Sequence, residues 1–252
     1  MQDEPRSPGD PADTDTDHPG ESPPRREFKA RGSTVVRCEA CNLPALNCLC
    51  PYRVRASCGI QVWLLTHPLE QYKPTNTGRL IRDVLPDTRV FTWYRTLPDA
   101  ELLALLDDPR YAPFVVFPDD QPGYAERVVD VERVVERREA GRIPVLILLD
   151  GTWRQARKIF RRSDYLARLP VLPLVTERQT RYRLRKPASA DHLSTAEVAA
   201  ELLRQAGEDQ AADYLDDYFE VFNESYAASR RYIKLTETSP AMQRLLAARQ
   251  GV

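Results

Sequence analysis

The sequence of 252 residues lacks several motifs that identify common enzyme classes. It contains no G-x-G-x-x-G, no Walker loop, no G-x-S-x-G and no H-E-x-x-H, and only 10 of its residues are glycine. A Rossmann nucleotide site or a serine hydrolase is therefore disfavoured. His67 and His192 stand alone, without a convincing Cys–His or Ser–His pairing, so we assign neither a catalytic role.

Long apolar runs are also missing. The longest, around Pro144–Leu149, is far shorter than the roughly 20 residues that span a bilayer. The first residues offer no apolar stretch of the kind that signal peptides carry. We therefore expect a soluble, cytoplasmic protein without a membrane segment.

Core-forming side chains are scarce at the N-terminus. Residues 1–27 contain eight acids, three arginines and six prolines, with no aliphatic or aromatic side chain beyond Met1 and Ala12. Such a segment buries too little apolar surface to offset its ordering entropy, so we predict a disordered acidic tail over residues 1–33. The remainder holds 33 of the 36 basic and 29 of the 37 acidic residues, a net charge of +4. This excess supports nucleic-acid binding only mildly.

Cysteines, by contrast, are concentrated. Four of the five lie in the pattern C-x2-C-x6-C-x-C, at Cys38, Cys41, Cys48 and Cys50. Four thiolates this close can surround one tetrahedral Zn²⁺, which with four protein ligands is structural and has no open position for water. Disulfides or scattered buried thiols are the alternatives. We predict a zinc-binding element over residues 34–58, with Cys58 packed as a small hydrophobe.

The rest of the chain alternates between two kinds of pattern. Short apolar runs predict strands at 60–66, 89–93, 114–117, 145–149 and 171–175. Between them, residues 97–106 and 126–139 have helical periodicity, and the chain reads as helical from Thr195 to its end. This alternation predicts an α/β domain over residues 59–235, a parallel sheet flanked by helices, followed by a C-terminal helix at 236–252.

The most apolar predicted strand runs directly into the sequence Asp150-Gly-Thr-Trp153. Ligands in open α/β sheets bind beyond the carboxyl ends of strands, so Asp150 is a candidate for acid–base chemistry. The alternative is structural: Asp150 or Thr152 caps the following helix and Trp153 fills the core. The sequence leaves the direction of any shift in the pKa of Asp150 open.

Two rows of basic residues accompany this strand. One lies on the predicted helix after Trp153 and contains Arg154, Arg157, Lys158 and Arg161. The other contains Arg181, Arg183 and Arg185, which strand alternation would send to one side. Charged faces of this kind are usually solvated, but two rows near one pocket would suit the phosphates of RNA.

Several motifs together resemble those of the DTW-domain family of tRNA-uridine aminocarboxypropyltransferases. The family's namesake element corresponds to Asp150-x-Thr152-Trp153, and the Cys38–Cys50 stretch looks like its N-terminal cysteine motif. Lys73–Leu80 is similar to its Asn-Thr-Gly-Arg-Leu signature. Three shorter segments also fit, at Val116–Pro118, Tyr182–Arg185 and Thr195–Val198. Their order and spacing agree with the bacterial branch of the family from Cys38 to about Tyr226.

The resemblance implies more than composition and periodicity do. It implies a SPOUT-like fold with a knotted C-terminal half that holds S-adenosylmethionine, with Asp150 catalytic and Thr152 and Trp153 shaping its pocket. Further cofactor-binding positions implied by the resemblance are Pro118, Leu174, Thr195, Glu197, Asn76, Thr77 and Arg79. The implied reaction transfers the 3-amino-3-carboxypropyl group to N3 of a uridine, in the variable loop of tRNA, and releases methylthioadenosine.

Two alternatives to this hypothesis use the same residues. An RNA methyltransferase would use the same cofactor and fold, and would release S-adenosylhomocysteine instead. A zinc-containing RNA-binding protein without catalysis would use only the basic rows, with Asp150 as a helix cap. Under the main hypothesis the partner is tRNA, and we expect the protein to be a monomer.

Overall fold

The computed structural model describes residues 35–120, 122–184 and 192–250. The predicted acidic tail, residues 1–33, lies outside these ranges. Among the described residues, no helix has both the length and the hydrophobicity that crossing a bilayer requires.

A five-stranded sheet forms the centre of the fold. Its strands are β1 (Gln61–Thr66), β2 (Arg89–Thr92), β3 (Tyr111–Val116), β4 (Ile143–Asp150) and β5 (Val171–Leu172). Their order in the sheet is β2-β1-β4-β3-β5, and every pairing is parallel. The predicted parallel α/β sheet is therefore confirmed, with β4 in its middle.

The central strand β4 is buried from its second residue to its last. Its side chains alternate between two cores, so that Leu146 and Leu148 pack on one side of the sheet and Ile147 and Leu149 on the other. This two-sided burial explains why the strand is apolar throughout instead of alternating with polar residues.

Within the described ranges, seven α-helices cover the two faces. They are α1 (Gly78–Val84), α2 (Ala100–Asp107), α3 (Glu132–Glu139), α4 (Trp153–Arg161), α5 (Thr195–Gln205), α6 (Asp209–Arg230) and α7 (Pro240–Gln250). The helices α1, α3, α5, α6 and α7 contribute to the core on the Leu148 side, whereas α2 and α4 contribute to the core on the Ile147 side. Both faces of the sheet are thereby kept from water, as parallel sheets require.

Three predicted elements need correction. The helix predicted at 126–139 begins only at Glu132. A separate 3-10 helix ends at Arg127, Val128 forms a parallel bridge with Val171, and Val129 N donates to Val171 O at 2.9 Å. The strand predicted at 171–175 ends at Leu172, since the next residue is a proline that cannot donate to a sheet. The C-terminal helical region is three helices, divided near Gly207, which has a φ of +80°, and again after Arg230.

The strand predicted from Arg181 is not formed by the residues that the structure describes, although the predicted alternation of side chains is present. Residues 181–184 form no strand, yet Arg181 and Arg183 are exposed while Tyr182 and Leu184 are half-buried. The alternation of side-chain exposure is therefore present without a sheet. Arg185 lies outside the described residues.

The cysteine-rich segment packs directly against the rest of the fold. Leu43 and Leu49 are fully buried in the core that contains α6 and α7. The side chain of Asn47 donates to Ser229 Oγ at 3.0 Å and to the carbonyl of Ile233 at 2.8 Å, and it accepts from Leu235 N at 2.8 Å. One buried amide thus fastens this segment to the end of α6.

Candidate active site

Asp150 is the last residue of β4 and lies at the carboxyl edge of the sheet. It pairs in register with Thr66, the last residue of β1, and only 2 % of its surface is exposed. Although it is buried, Asp150 lines a cavity of about 580 Å³. The predicted position at the mouth of a buried strand is what the structure has.

Three groups from distant parts of the chain fix the Asp150 carboxylate. Asn76 Nδ2 donates to Oδ2 at 2.7 Å, and Thr195 Oγ1, in the first turn of α5, donates to Oδ1 at 2.9 Å. Gly78 approaches so closely that a Cβ there would lie 3.0 Å from the carboxylate. Asn76 is itself oriented, since its Oδ1 accepts from Arg79 N at 3.1 Å. Asp150 does not cap the helix that follows it.

The electrostatic environment favours the protonated form of Asp150. Burial raises the pKa of its carboxyl group above the ordinary value, and the hydrogen bonds from Asn76 and Thr195 oppose the rise only in part. The neighbouring Glu70 carboxylate adds to the rise in this pKa. A carboxylate of this kind binds a proton more readily than one in water, as a general base requires.

The cavity wall combines apolar and aromatic side chains. Trp153 lies parallel to Phe117, with ring centroids 5.5 Å apart and an interplanar angle of 14°. The His192 ring stacks on Trp153 at 5.5 Å, and Tyr182 also lines the cavity. Glu70 and Asp150 are the carboxylates of the wall, and no lysine or arginine of the described ranges lines it. The cavity therefore suits a ligand with a planar ring and a positive charge.

Most of the predicted cofactor-binding residues meet at this cavity. Those that line it are Pro118, Thr152, Trp153, Leu174, Thr77 and Thr195, beside the catalytic candidate Asp150. Asn76 does not line the cavity but bonds directly to Asp150. Thr152 also caps α4, because its Oγ1 accepts from Gln155 N and its own N–H donates to Gln155 Oε1. Helix capping and pocket formation are therefore combined in one residue.

Glu197 and Arg79, also predicted to hold the cofactor, are not among the cavity-lining residues. Glu197 is fully buried in the first turn of α5, where its carboxylate accepts from Ser194 N at 2.9 Å and from Thr180 Oγ1 at 2.8 Å. It also accepts from Arg181 N at 2.6 Å. Glu197 thereby holds the segment that leads to Tyr182 against the start of α5.

Arg79 is largely buried beneath the site. Its Nη2 donates to the carbonyl of Pro74 at 2.8 Å, and its guanidinium carbon lies 5.4 Å from the centroid of the Phe222 ring. Burial lowers the pKa of this arginine. Through its bond to the Pro74 carbonyl, the Arg79 side chain holds the loop that carries Asn76.

Sequence reasoning missed several residues of the site, including Glu70, Thr75, Phe117, Tyr182 and Ser194. A positional signal was available for Glu70, since it follows β1, whose carboxyl end lies at the same edge as that of β4. His67, to which no role was assigned, joins two parts of the site. Its backbone N–H donates to Asp150 O at 3.0 Å, and its Nδ1 lies 3.1 Å from Gln155 Nε2.

The predicted basic row on α4 begins where the cavity ends, since Trp153 is the first residue of this helix. Arg154, Lys158 and Arg161 are exposed, and Arg157 lies over the Trp153 ring with its guanidinium carbon 5.9 Å from the centroid. In the second row, Arg181 makes ion pairs with Asp216 and Glu220 at 3.2 and 3.3 Å. Of the two rows, the one on α4 begins directly after Trp153, which lines the cavity.

The four clustered cysteines form a second site, away from the cavity. Their Sγ atoms all lie within 4.8 Å of one another, and the pairs Cys38–Cys50 and Cys41–Cys48 are 3.7 Å apart. A disulfide needs about 2.05 Å. Four thiolates at about 2.3 Å from one tetrahedral Zn²⁺ would be separated by about 3.8 Å. The cluster can therefore hold a metal ion.

The fifth cysteine, Cys58, lies apart from this cluster. Burial raises the pKa of its thiol to about 12, as expected for an inert packed cysteine.

Fold and site together define an α/β protein with a small-molecule cavity at the carboxyl edge of a parallel sheet and a separate four-cysteine element. Residues 35–227 match the DTW domain, and the chain belongs to that family. The resemblance carried by the sequence motifs is thereby confirmed.

Curated relatives include three proteins named tRNA-uridine aminocarboxypropyltransferase 2. The one from Drosophila melanogaster is 29% identical over 174 residues, which cover 66% of this chain and 65% of that protein. Those from Mus musculus and Macaca fascicularis are 29% and 24% identical, over 65% of this chain and 54% of each relative. The chain thus spans less than two thirds of the length of these relatives. No solved structure matches the chain.

Proposed function

We propose that this protein transfers the 3-amino-3-carboxypropyl group of S-adenosylmethionine to N3 of a uridine in tRNA, with Asp150 as the proton acceptor. The observation that carries the proposal is the buried Asp150 carboxylate, hydrogen-bonded by Asn76 and Thr195 at the wall of a ligand-sized cavity. Membership of the DTW family and the names of the curated relatives support the same reaction.

The cavity fits this cofactor by size and by chemistry. Its volume of about 580 Å³ falls within the range of roughly 300 to 1,000 Å³ found for small-molecule sites. Trp153, Phe117 and Tyr182 give the wall aromatic side chains for contact with a planar base, and the carboxyl groups of Asp150 and Glu70 are the acidic groups that face a cation such as a sulfonium. S-adenosylmethionine, when bound, supplies a carbon made electrophilic by its positive sulfur.

Asp150 accepts the N3 proton of the uracil while N3 forms a bond to the γ-carbon of the amino acid moiety. The bond from this carbon to sulfur breaks, and sulfur keeps the electron pair, so that neutral methylthioadenosine leaves. Asn76 and Thr195 hold the carboxylate in one orientation throughout. The step needs no metal ion, and the four-cysteine cluster plays no part in it.

The N3 edge of uracil is occupied in a paired helix, so the substrate base must be unpaired and turned into the cavity. Trp153 and Tyr182 are the lining aromatics on which it would stack. The exposed Arg154, Lys158 and Arg161 on α4 would bind the flanking phosphates.

The finer features follow from the same reading of the sequence. We assign the variable loop of tRNA as the target because the motif spacing agrees with the bacterial branch of the family, and we place the protein in the cytoplasm as a monomer. The cysteine cluster is assigned to structural zinc, supported by its sulfur spacing. A SPOUT-like knotted C-terminal half is supported by the position of β4 between β1 and β3, and by Thr195, which returns to Asp150.

The domain assignment belongs to the same proposal. It comprises an acidic tail at 1–33, a zinc-binding element at 34–58, a catalytic domain at 59–235 and a terminal helix at 236–252. The buried Leu43 and Leu49 favour a zinc element that folds onto the catalytic domain and does not stand apart from it.

The test is incubation of the full chain with S-adenosylmethionine and unmodified tRNA, followed by mass spectrometry of the nucleosides and of the small-molecule product. We expect aminocarboxypropyluridine together with methylthioadenosine. A methylated nucleoside with S-adenosylhomocysteine would establish the methyltransferase alternative. Binding of tRNA without any modified nucleoside would establish the non-catalytic alternative.

A further inference from the structure

The loop between β1 and α1 carries two charged side chains that take no part in the transfer step described above. Glu70 is 1 % exposed and lines the cavity. Lys73 Nζ lies 2.5 Å from Glu70 Oε2, and the lysine side chain remains 38% exposed. A buried carboxylate is costly unless it is paired, and in this pair Glu70 lies at the wall of the cavity while Lys73 lies behind it and does not line the cavity.

This loop is fastened to Asp150 at both of its ends. At the first end His67 N donates to Asp150 O at 3.0 Å, and at the second Asn76 Nδ2 donates to Asp150 Oδ2 at 2.7 Å. Between them, Glu70 N donates to His67 O, Lys73 N to Glu70 O and Asn76 N to Lys73 O, at 2.8 to 3.0 Å. The loop is therefore a series of tight turns that keeps the Glu70–Lys73 pair beside the catalytic carboxylate.

The chemistry of the pair is complementary to an α-amino acid. A zwitterion presents an ammonium and a carboxylate separated by one carbon, and a carboxylate next to an ammonium ion pairs with both at once. The transferred group of S-adenosylmethionine ends in such a zwitterion, whereas methylthioadenosine lacks it. The partly exposed Lys73 can turn away from Glu70 to admit the ligand's ammonium, because its stem is flexible.

Resting on the proposed function, we propose that Glu70 and Lys73 form the subsite for the amino acid end of S-adenosylmethionine. Glu70 accepts from the α-ammonium group, and Lys73 pairs with the α-carboxylate. Since both ends of the loop are bonded to Asp150, this subsite keeps the amino acid chain on the Asp150 side of the cavity. Glu70 and Lys73 are thus specificity residues for transfer of the aminocarboxypropyl group.

The experiment measures binding by calorimetry with three probes, which are S-adenosylmethionine, decarboxylated S-adenosylmethionine and methylthioadenosine. For Glu70→Gln we expect about a tenfold or greater loss of affinity for the first two and no change for methylthioadenosine. For Lys73→Met we expect a loss for S-adenosylmethionine alone, because the decarboxylated compound has no α-carboxylate. Asp217→Asn, which breaks the Asp217–Arg244 ion pair on α6 and α7, is the control and should change none of the three.

Unchanged affinity of Glu70→Gln for S-adenosylmethionine would overturn the subsite, and so would an equal loss for methylthioadenosine in a folded variant. If Glu70→Gln does not fold, the Lys73 variant decides, because that side chain is partly exposed: equal losses for S-adenosylmethionine and its decarboxylated form, or no loss for either, would overturn it. If the wild-type protein makes aminocarboxypropyluridine but the variants bind all three probes normally, the subsite is refuted and the proposed function stands. If the variants show the expected selective losses of affinity but the wild-type protein transfers no group to tRNA, the proposed function is refuted and the subsite stands.

Discussion

Replacement of Asp150 by asparagine exchanges one carboxylate oxygen for an amide nitrogen, so that it tests the catalytic role without removing the side chain's hydrogen bonds. Asparagine has the shape of aspartate, and its side-chain oxygen can accept from Asn76 Nδ2 while its amide donates to the Thr195 hydroxyl. The variant should therefore fold and bind tRNA like the wild type. Its transfer rate should fall by about 10² to 10⁴, the contribution of a positioned general base.

The same substitution should stabilise the fold, and the gain should depend on pH. The folded-state pKa of Asp150 is raised above 3.8, so this residue's contribution to stability is present at low pH and is lost as pH rises through the folded pKa. The asparagine side chain in the variant does not ionise. The melting temperature of Asp150→Asn should thus exceed that of the wild type by a margin that grows with pH. Each unit of pKa shift corresponds to about 1.4 kcal/mol, or roughly 3 to 5 °C for a chain of this length.

Two measurements check this prediction. Quantitative nucleoside mass spectrometry gives the transfer rate, and thermal unfolding followed by circular dichroism at several values between about pH 5 and 8 gives the margin. Asp217→Asn, the same chemical change outside the cavity, serves as control. A transfer rate within tenfold of the wild type would refute the role of Asp150 as general base. A difference in melting temperature that shrinks with rising pH would refute the argument that burial raises its pKa.

Three further predictions concern the surroundings of Asp150, the metal site and the tRNA surface. Gly78→Ala places a Cβ 3.0 Å from the Asp150 carboxylate and should reduce kcat in a folded protein, which steady-state kinetics and a melting curve can check together. Cys48→Ser should lower both the zinc content measured by mass spectrometry and the melting temperature, since the element packs on the core; a normal melting temperature after complete metal loss would contradict this. Lys158→Gln should weaken tRNA binding for all tRNAs alike and reduce the slope of log affinity against log salt by about 0.7 to 0.9, whereas an unchanged slope would place the phosphates elsewhere.

The strands were predictable because burial on both faces leaves an apolar run. The sequence before Asp150 carries this signal most strongly, and the position of Asp150 at the sheet edge followed from it. The valines at 128, 131 and 135 fit helical spacing, yet the stretch around Val128 pairs with Val171. Spacing alone does not distinguish a helix from an extended segment whose partner lies some forty residues away.

Local capping motifs carried information that was not used. Ser194-Thr-Ala-Glu197 and Thr152-Trp-Arg-Gln155 both have the sequence form of a capping box. Both of its bonds form between Thr152 and Gln155, and at Ser194 the backbone N–H donates to the Glu197 carboxylate. This pattern accounts for the carboxylate of Glu197 before any ligand is considered. Glu70 follows β1 and therefore lies at the carboxyl edge of the sheet, but its closeness to Asp150 depends on the pairing of β1 with β4, which is a long-range contact.

The hydrogen bonds to Asp150 have a consequence for protein synthesis. Asn76 precedes the aspartate by 74 residues and Thr195 follows it by 45, so the reactive carboxylate is not assembled until α5 has left the ribosome and docked. Chains that stop before this point, by premature termination or by proteolysis, retain most of the sheet but carry an incomplete centre. Because α5, α6 and α7 also cover one face of the sheet, such a truncation would remove part of the core together with the hydrogen bond from Thr195 to Asp150.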